Sequence, residues 1–155
     1  MLAYIKGILT LSTPTYAVIE AYGVGYKILI PACTLSQLPQ IQMECLLHTS
    51  FVIREASQTL YGFHTTQERD FFEALLNVTG IGPKIALALI GHMPINELQR
   101  AISQGDIPVL CRVPGIGKKG AERLIIEMRD KIQLMHDPQE FTINLNGNTS
   151  IQKLR

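Results

Sequence analysis

Two stretches of the chain repeat one another. "GIGPKIALALI", from Gly80, aligns with "GIGKKGAERLI", from Gly115, at an offset of 35 positions, and seven of the eleven places agree. The shared residues are both glycines, the isoleucine between them, the lysine, the alanine, the leucine and the final isoleucine. A helical stretch precedes each copy and another helix follows it. The unit is therefore helix, tight glycine–apolar–glycine turn, helix, and the fold of this region has to build it twice.

Each part of the unit has a mechanical reason. Glycine permits positive φ and lets the backbone approach a ligand with no Cβ in the way. Ile81 and Ile116 are expected to tuck into the core and pin each loop. Pro83 suits the first turn of a helix, where its missing N–H costs nothing. The loops then present free backbone N–H groups at a helix N-terminus, which attract phosphate. Lys84, Lys118 and Lys119 stand against the helix macrodipole, which disfavours an exposed cation there by roughly 0.3–1 kcal/mol. A nearby anion explains them. Gly80, Gly82, Lys84, Gly115, Gly117, Lys118 and Lys119 are accordingly the expected phosphate-binding set. Arg123 joins them, one helical turn after Lys119 and on the same side. A single turn of this kind is common; two copies with matching lysine, alanine and flanks are specific.

The rest of the chain divides by periodicity. Residues 1–63 read as five short strands: "AYIKGILTL", "YAVIEAY", "GYKILI", "ECLLHTSFVI" and "QTLYGF". Turn segments such as "STPT", "GVG", "PACT" and "REAS" separate them. Five strands in this length is the size of a small Greek-key barrel of the OB type. In the fourth strand Cys45, Leu47, Thr49, Phe51 and Ile53 are expected on one face, with His48 and Ser50 on the other. Residues 64–135 read as short helices. The first opens at the capping threonines Thr65 and Thr66 and carries Phe71, Phe72, Leu75 and Leu76 at helical spacing. The last carries an apolar stripe of Ala121, Leu124, Ile125, Met128 and Ile132. Residues 136–155 are polar with no sustained period and are expected to form a flexible linker or tail. The fold class expected is α+β and multidomain: an OB-type barrel followed by an all-α domain with two turn-linked helix pairs.

Composition narrows the function. The 155 residues carry 14 basic and 13 acidic side chains, a net charge of +1. A polyanionic partner would therefore have to meet basic residues gathered on one face. Cys33, Cys45 and Cys111 have no metal-ligand or disulfide spacing and are expected as buried free thiols in a reducing cytosol. No metal site and no cofactor are expected. Neither a signal peptide nor a membrane-spanning run is present, so the expected location is the cytoplasm. ATPase chemistry is not expected: in "GIGKKGA" Gly120 is followed by Ala121, not by the lysine that a phosphate-binding G-x-x-x-x-G-K-[ST] loop requires.

The two repeated segments resemble helix-hairpin-helix motifs, which grip DNA backbones without reading sequence. With "GVGYKI", "FVIREASQTLYGF", "GIGPKIALALI" and "PGIGKKGAERLIIEMRDK" in this order, residues 1–135 resemble the RuvA family. The resemblance implies binding of four-way (Holliday) DNA junctions, held open and square-planar for branch migration in recombination and DNA repair. It implies a homotetramer or its face-to-face double. It also implies an acidic pin projecting from the barrel, for which Glu55 in "REAS" is the match, with Arg54 beside it as a DNA contact. The second acid common in the family is replaced here by Ala56. The implied partners are the RuvB motor, engaged through a small helical third domain, and the RuvC resolvase. The chain ends at Arg155, within the stretch matching the linker to that third domain, which is therefore expected to be absent.

Two other readings stay open on the sequence. Helix-hairpin-helix glycosylase/lyases place a Schiff-base lysine at the position of Lys119 and a catalytic aspartate at a distance that reaches Asp137. A general DNA-binding scaffold, with no preference for junctions, would need only the two hairpins.

Overall fold

The computed structural model describes residues 2–135, 139–143 and 149–153. Strands β1 (Tyr4–Ser12), β2 (Tyr16–Ala21), β3 (Val24–Leu29), β4 (Glu44–Arg54) and β5 (Ser57–Phe63) close into a barrel in the order β1-β2-β3-β5-β4. The β3–β5 pairing is parallel and the others are antiparallel. This is the connectivity of an OB-type barrel. Period-two alternation drives it: Ile5, Leu9, Ala17, Ile19, Ile28, Ile30, Cys45 and Leu47 point inward and form one apolar cluster. Two glycines let strands approach where a side chain would not fit. A Cβ on Gly7 would meet the Glu20 carbonyl, and one on Gly62 would meet Ile28 Cγ2.

The helical half comprises α2 (Thr66–Leu76), α3 (Pro83–His92), α4 (Ile95–Gln104), α5 (Ile107–Leu110) and α6 (Lys118–Met135). Thr65 caps α2, its hydroxyl accepting from the Glu68 N–H at 3.1 Å. Gly105, in the left-handed region at φ 68°, ends α4. The expected stripe on α6 is buried at Ala121, Leu124, Ile125, Met128 and Ile132. Barrel and helices share a core: Tyr61 and Phe63 of β5 pack on Phe72 of α2, with ring centroids 5.0 and 4.9 Å apart. Gly91 of α3 abuts α1 (Ala32–Leu35), where an added Cβ would lie 3.0 Å from the Ala32 nitrogen.

The structure corrects four expectations. "PACT", expected as a turn, carries the short helix α1. In β4 the inner face does not run to the strand's end: Ser50 is buried, Phe51 is half-buried and Ile53 is 63% exposed. The strand outruns the barrel core there and continues as a projecting ribbon, paired to Arg54↔Ser57, with residues 53–58 exposed. All three cysteines are free, but only Cys45 is buried; Cys33 and Cys111 are half-buried. Within 136–155, where a linker without regular structure was expected, β6 (Gln139–Ile143) pairs antiparallel with β7 (Thr149–Lys153).

Candidate nucleic-acid interface

The two repeated turns have matching backbones. Gly80 and Gly115 both have positive φ, 83° and 91°. The N–H of Ile81 donates to the Val78 carbonyl at 3.1 Å, and that of Ile116 to Val113 at 3.2 Å. Both isoleucines are buried, which pins each loop from inside as expected. The second glycine of each pair opens the helix: the Ala86 N–H donates to Gly82 and the Ala121 N–H to Gly117, at 3.0 and 2.9 Å. Ala86 and Ala121 are fully buried, as are Leu89 and Leu124. The repeat also extends further upstream than the sequence comparison took it. Leu75 and Leu110, and Val78 and Val113, stand at the same offset, and all four are buried.

This architecture leaves a definite outward face. A Cβ on Gly82 or Gly117 would meet nothing within 4 Å, so both α-carbons face open space. Among the described residues, the N–H groups of Gly80, Gly82, Gly115 and Gly117 make no internal hydrogen bond. Lys84, Lys118 and Lys119 lie in the first turns of α3 and α6, and all are exposed, as is Arg123. The two loops are neighbours. Gly115 faces Ile85 of α3 at 3.4 Å, and Gly80 faces the Arg123 guanidinium of α6 at 4.0 Å, each distance measured to an ideal Cβ. Free amides, helix N-termini and exposed cations thus occur together at two adjacent loops, a combination that suits an anion.

Arg54 and Glu55 lie elsewhere, at the exposed tip of the β4–β5 ribbon. They belong to the barrel's own projection, not to the paired loops. Lys119 is exposed, with no apolar enclosure of the kind that activates a Schiff-base lysine. Asp137, its candidate partner, lies outside the described residues. A residue the sequence reading passed over does join the loops: Glu127 of α6 accepts the Thr79 N–H at 2.8 Å. The available signal was its place at i+8 from Lys119 and i+4 from Arg123, an acid on an otherwise basic stripe. Among the described residues no cluster of His, Cys, Asp and Glu could hold a metal, and no helix is long and apolar enough to cross a membrane.

An OB-type barrel followed by two helix pairs, whose linking loops bare unbonded amides beside lysines, defines a barrel-plus-helix-hairpin-helix protein. Residues 1–62 match the RuvA N terminal domain family, and residues 72–130 match the SAM-like helix-hairpin-helix tandem family. The chain is 56% identical over 132 residues to a protein of Protochlamydia amoebophila named Holliday junction branch migration complex subunit RuvA; the match covers 85% of this chain and 66% of that one. It is 42% identical to the same-named protein of Coxiella burnetii, covering 88% and 68%. With that of Pseudomonas savastanoi it shares 39% identity, covering 95% and 73%. The chain belongs to the RuvA family, and it spans about two thirds of the length of these curated relatives.

Proposed function

We propose that this chain binds four-way DNA junctions through their sugar–phosphate backbones, irrespective of base sequence, and holds them open for branch migration. The observation that carries the reading is the duplicated loop: two positive-φ glycines, unbonded glycine amides and exposed lysines at adjacent turns, in a chain of the RuvA family. Gly80, Gly82 and Lys84 serve one phosphate run; Gly115, Gly117, Lys118, Lys119 and Arg123 serve the other. Phosphate contacts of this kind position DNA and carry no sequence code. The role is non-catalytic. Energy for migration comes from a partner ATPase, RuvB, which acts on the junction this protein presents. We assign the barrel (1–63) and the helical region (64–135) as two domains that pack on a shared core, with 136–155 as the linker.

One chain offers two hairpins, enough for one duplex arm. Four arms held at fixed angles call for four chains, and fourfold symmetry matches a four-armed ligand. A tetramer, or two tetramers face to face, is the assembly that fits, and RuvC is a candidate to act on the same junction. Arg54 and Glu55, exposed at the ribbon tip, are the residues we assign to the crossover. There Arg54 contacts DNA and Glu55 repels phosphates. The cytoplasm is the compartment in which such a partner set meets DNA.

The test of the grip is ionic. Lys118→Ala/Lys119→Ala should weaken junction binding equally on unrelated base sequences. Each lost contact should lower the slope of log affinity against log salt by roughly 0.7–0.9. An unchanged slope removes these lysines from the DNA surface.

A further inference from the structure

The two loops share a backbone but are held differently. In the first, the Thr79 N–H donates to the Glu127 carboxylate at 2.8 Å. Glu127 belongs to α6, the helix that follows the other loop. One turn earlier on α6, Arg123 lies beside Gly80 of the first loop. In the second loop the offset of 35 puts Pro114 in the place of Thr79 and His92 in the place of Glu127. Those two line one cavity between α3, the second loop and the barrel. Pro114 has no N–H to satisfy, and its ring fixes φ. The second loop therefore needs no outside acceptor where the first one uses a carboxylate.

On charge alone, a carboxylate is a poor choice at this place. It stands near lysines and free amides that face an anion, and it repels that anion. We propose that Glu127 is a positioning residue for backbone binding: it latches the first loop onto α6, so that both loops meet the DNA as one rigid unit. The inference rests on the backbone-binding reading above. Glu127 makes no contact with the ligand in this account. It acts through the Thr79 amide, and through it on the neighbouring Gly80 amide, which is left free for phosphate.

The sign of the effect separates latch from charge. Glu127→Ala removes a negative charge near the DNA surface, so electrostatics alone raises affinity for a four-way junction. Loss of the latch lowers it, by about three- to tenfold for one hydrogen bond of ordinary strength. Glu127→Gln removes the charge but keeps an acceptor and should restore affinity to the wild-type level or above. Thr79→Pro supplies the decisive background, because it deletes the donor and copies the second loop. Its precedent is the second loop: Val78 and Val113 precede the two positions and make the same turn, with N–H bonds of 3.0 and 3.2 Å to Leu75 and Leu110. In Thr79→Pro protein, Glu127→Ala should cause no further loss. Amide exchange at Thr79, measured without DNA, should quicken in Glu127→Ala and not in Glu127→Gln.

Junction affinity at or above wild type in Glu127→Ala overturns the latch. So does a Glu127→Gln variant as weak as Glu127→Ala, or an equal loss on the Thr79→Pro background. Failure of the wild-type protein to bind junctions would sink the functional reading instead, and Thr79 exchange in the DNA-free protein would still decide the latch.

Discussion

The four glycines of the loops should separate into two kinds when each is changed to alanine. Gly80 and Gly115 hold φ of 83° and 91°. An alanine there pays the steric cost of the left-handed region, roughly 1–2 kcal/mol. At Gly80 the nearest atom to an added Cβ is Arg123 Nη1 at 4.0 Å, so the cost is conformational alone; at Gly115 it meets Ile85 Cγ1 at 3.4 Å, an ordinary contact. For a chain of this size that lowers the melting temperature by about 2–8 °C. Gly82 is different, with φ −93° and open space around its α-carbon. Alanine there reduces the freedom of the unfolded chain, worth about 0.4–1 kcal/mol. It is also a poorer helix cap than glycine, by a similar amount. The two effects offset, and Gly82→Ala should melt within a degree or two of wild type, as should Gly117→Ala.

Binding should sort the same glycines the other way. A methyl group on Gly82 or Gly117 stands where a phosphate oxygen must approach the amide. Losing a charge-assisted hydrogen bond of about 1.5–3 kcal/mol lowers junction affinity about tenfold to a hundredfold. Thermal melts and titrations of fluorescent junction DNA at matched salt measure both quantities on the same four proteins. Wild-type affinity in both Gly82→Ala and Gly117→Ala would refute the idea that backbone approaches these α-carbons. An unchanged melt in Gly80→Ala would refute the strain argument.

Three further outcomes follow from the structure. Burial pushes the Glu68 carboxyl above its ordinary range, and its Oε2 is buried without a partner. The folded state then holds that proton more tightly than the unfolded state. Stability is lost as pH rises from the ordinary glutamate value through the raised one. Glu68→Gln should flatten that fall, gaining on wild type in melts taken from about pH 4 to 7; parallel curves would contradict the assignment. Gly62→Ala would drive a Cβ into Ile28 and to 3.1 Å from Leu47 Cδ1, an overpacking that costs about 1–3 kcal/mol and should appear as a lower melting temperature. At the ribbon tip, Glu55→Gln should raise affinity for linear duplex more than for a junction, and Ala56→Asp should do the reverse. An unchanged ratio of the two affinities in both variants would return Glu55 to the role of a solvated turn residue.

The sequence made most of the fold legible because its periods are clean. Alternation in "YAVIEAY" and the stripe from Ala121 to Ile132 each admit one solution. The duplicated turn was legible for the same reason: two copies fix which glycine bends and which isoleucine is buried. What stayed hidden depends on tertiary context. The inner face of β4 stops being buried after Thr49 because the barrel ends there, and no local pattern marks where a core runs out. Residues 32–35 form a helix that packs on Gly91 of α3, a contact between residues 59 positions apart with two barrel strands between them. Glu127 reads as one more charge on an exposed helix until Thr79 is seen beneath it.

The central claim is that the paired loops hold a four-way junction by its backbones. Its most direct test is the affinity of the wild-type protein for a four-way junction against that for linear duplex of equal length and composition, both at the same salt. The account predicts a preference for the junction of at least about tenfold, 1.4 kcal/mol, retained when the base sequence of every arm is changed. Equal affinity for the two DNAs, or a preference that follows one base sequence, would contradict it.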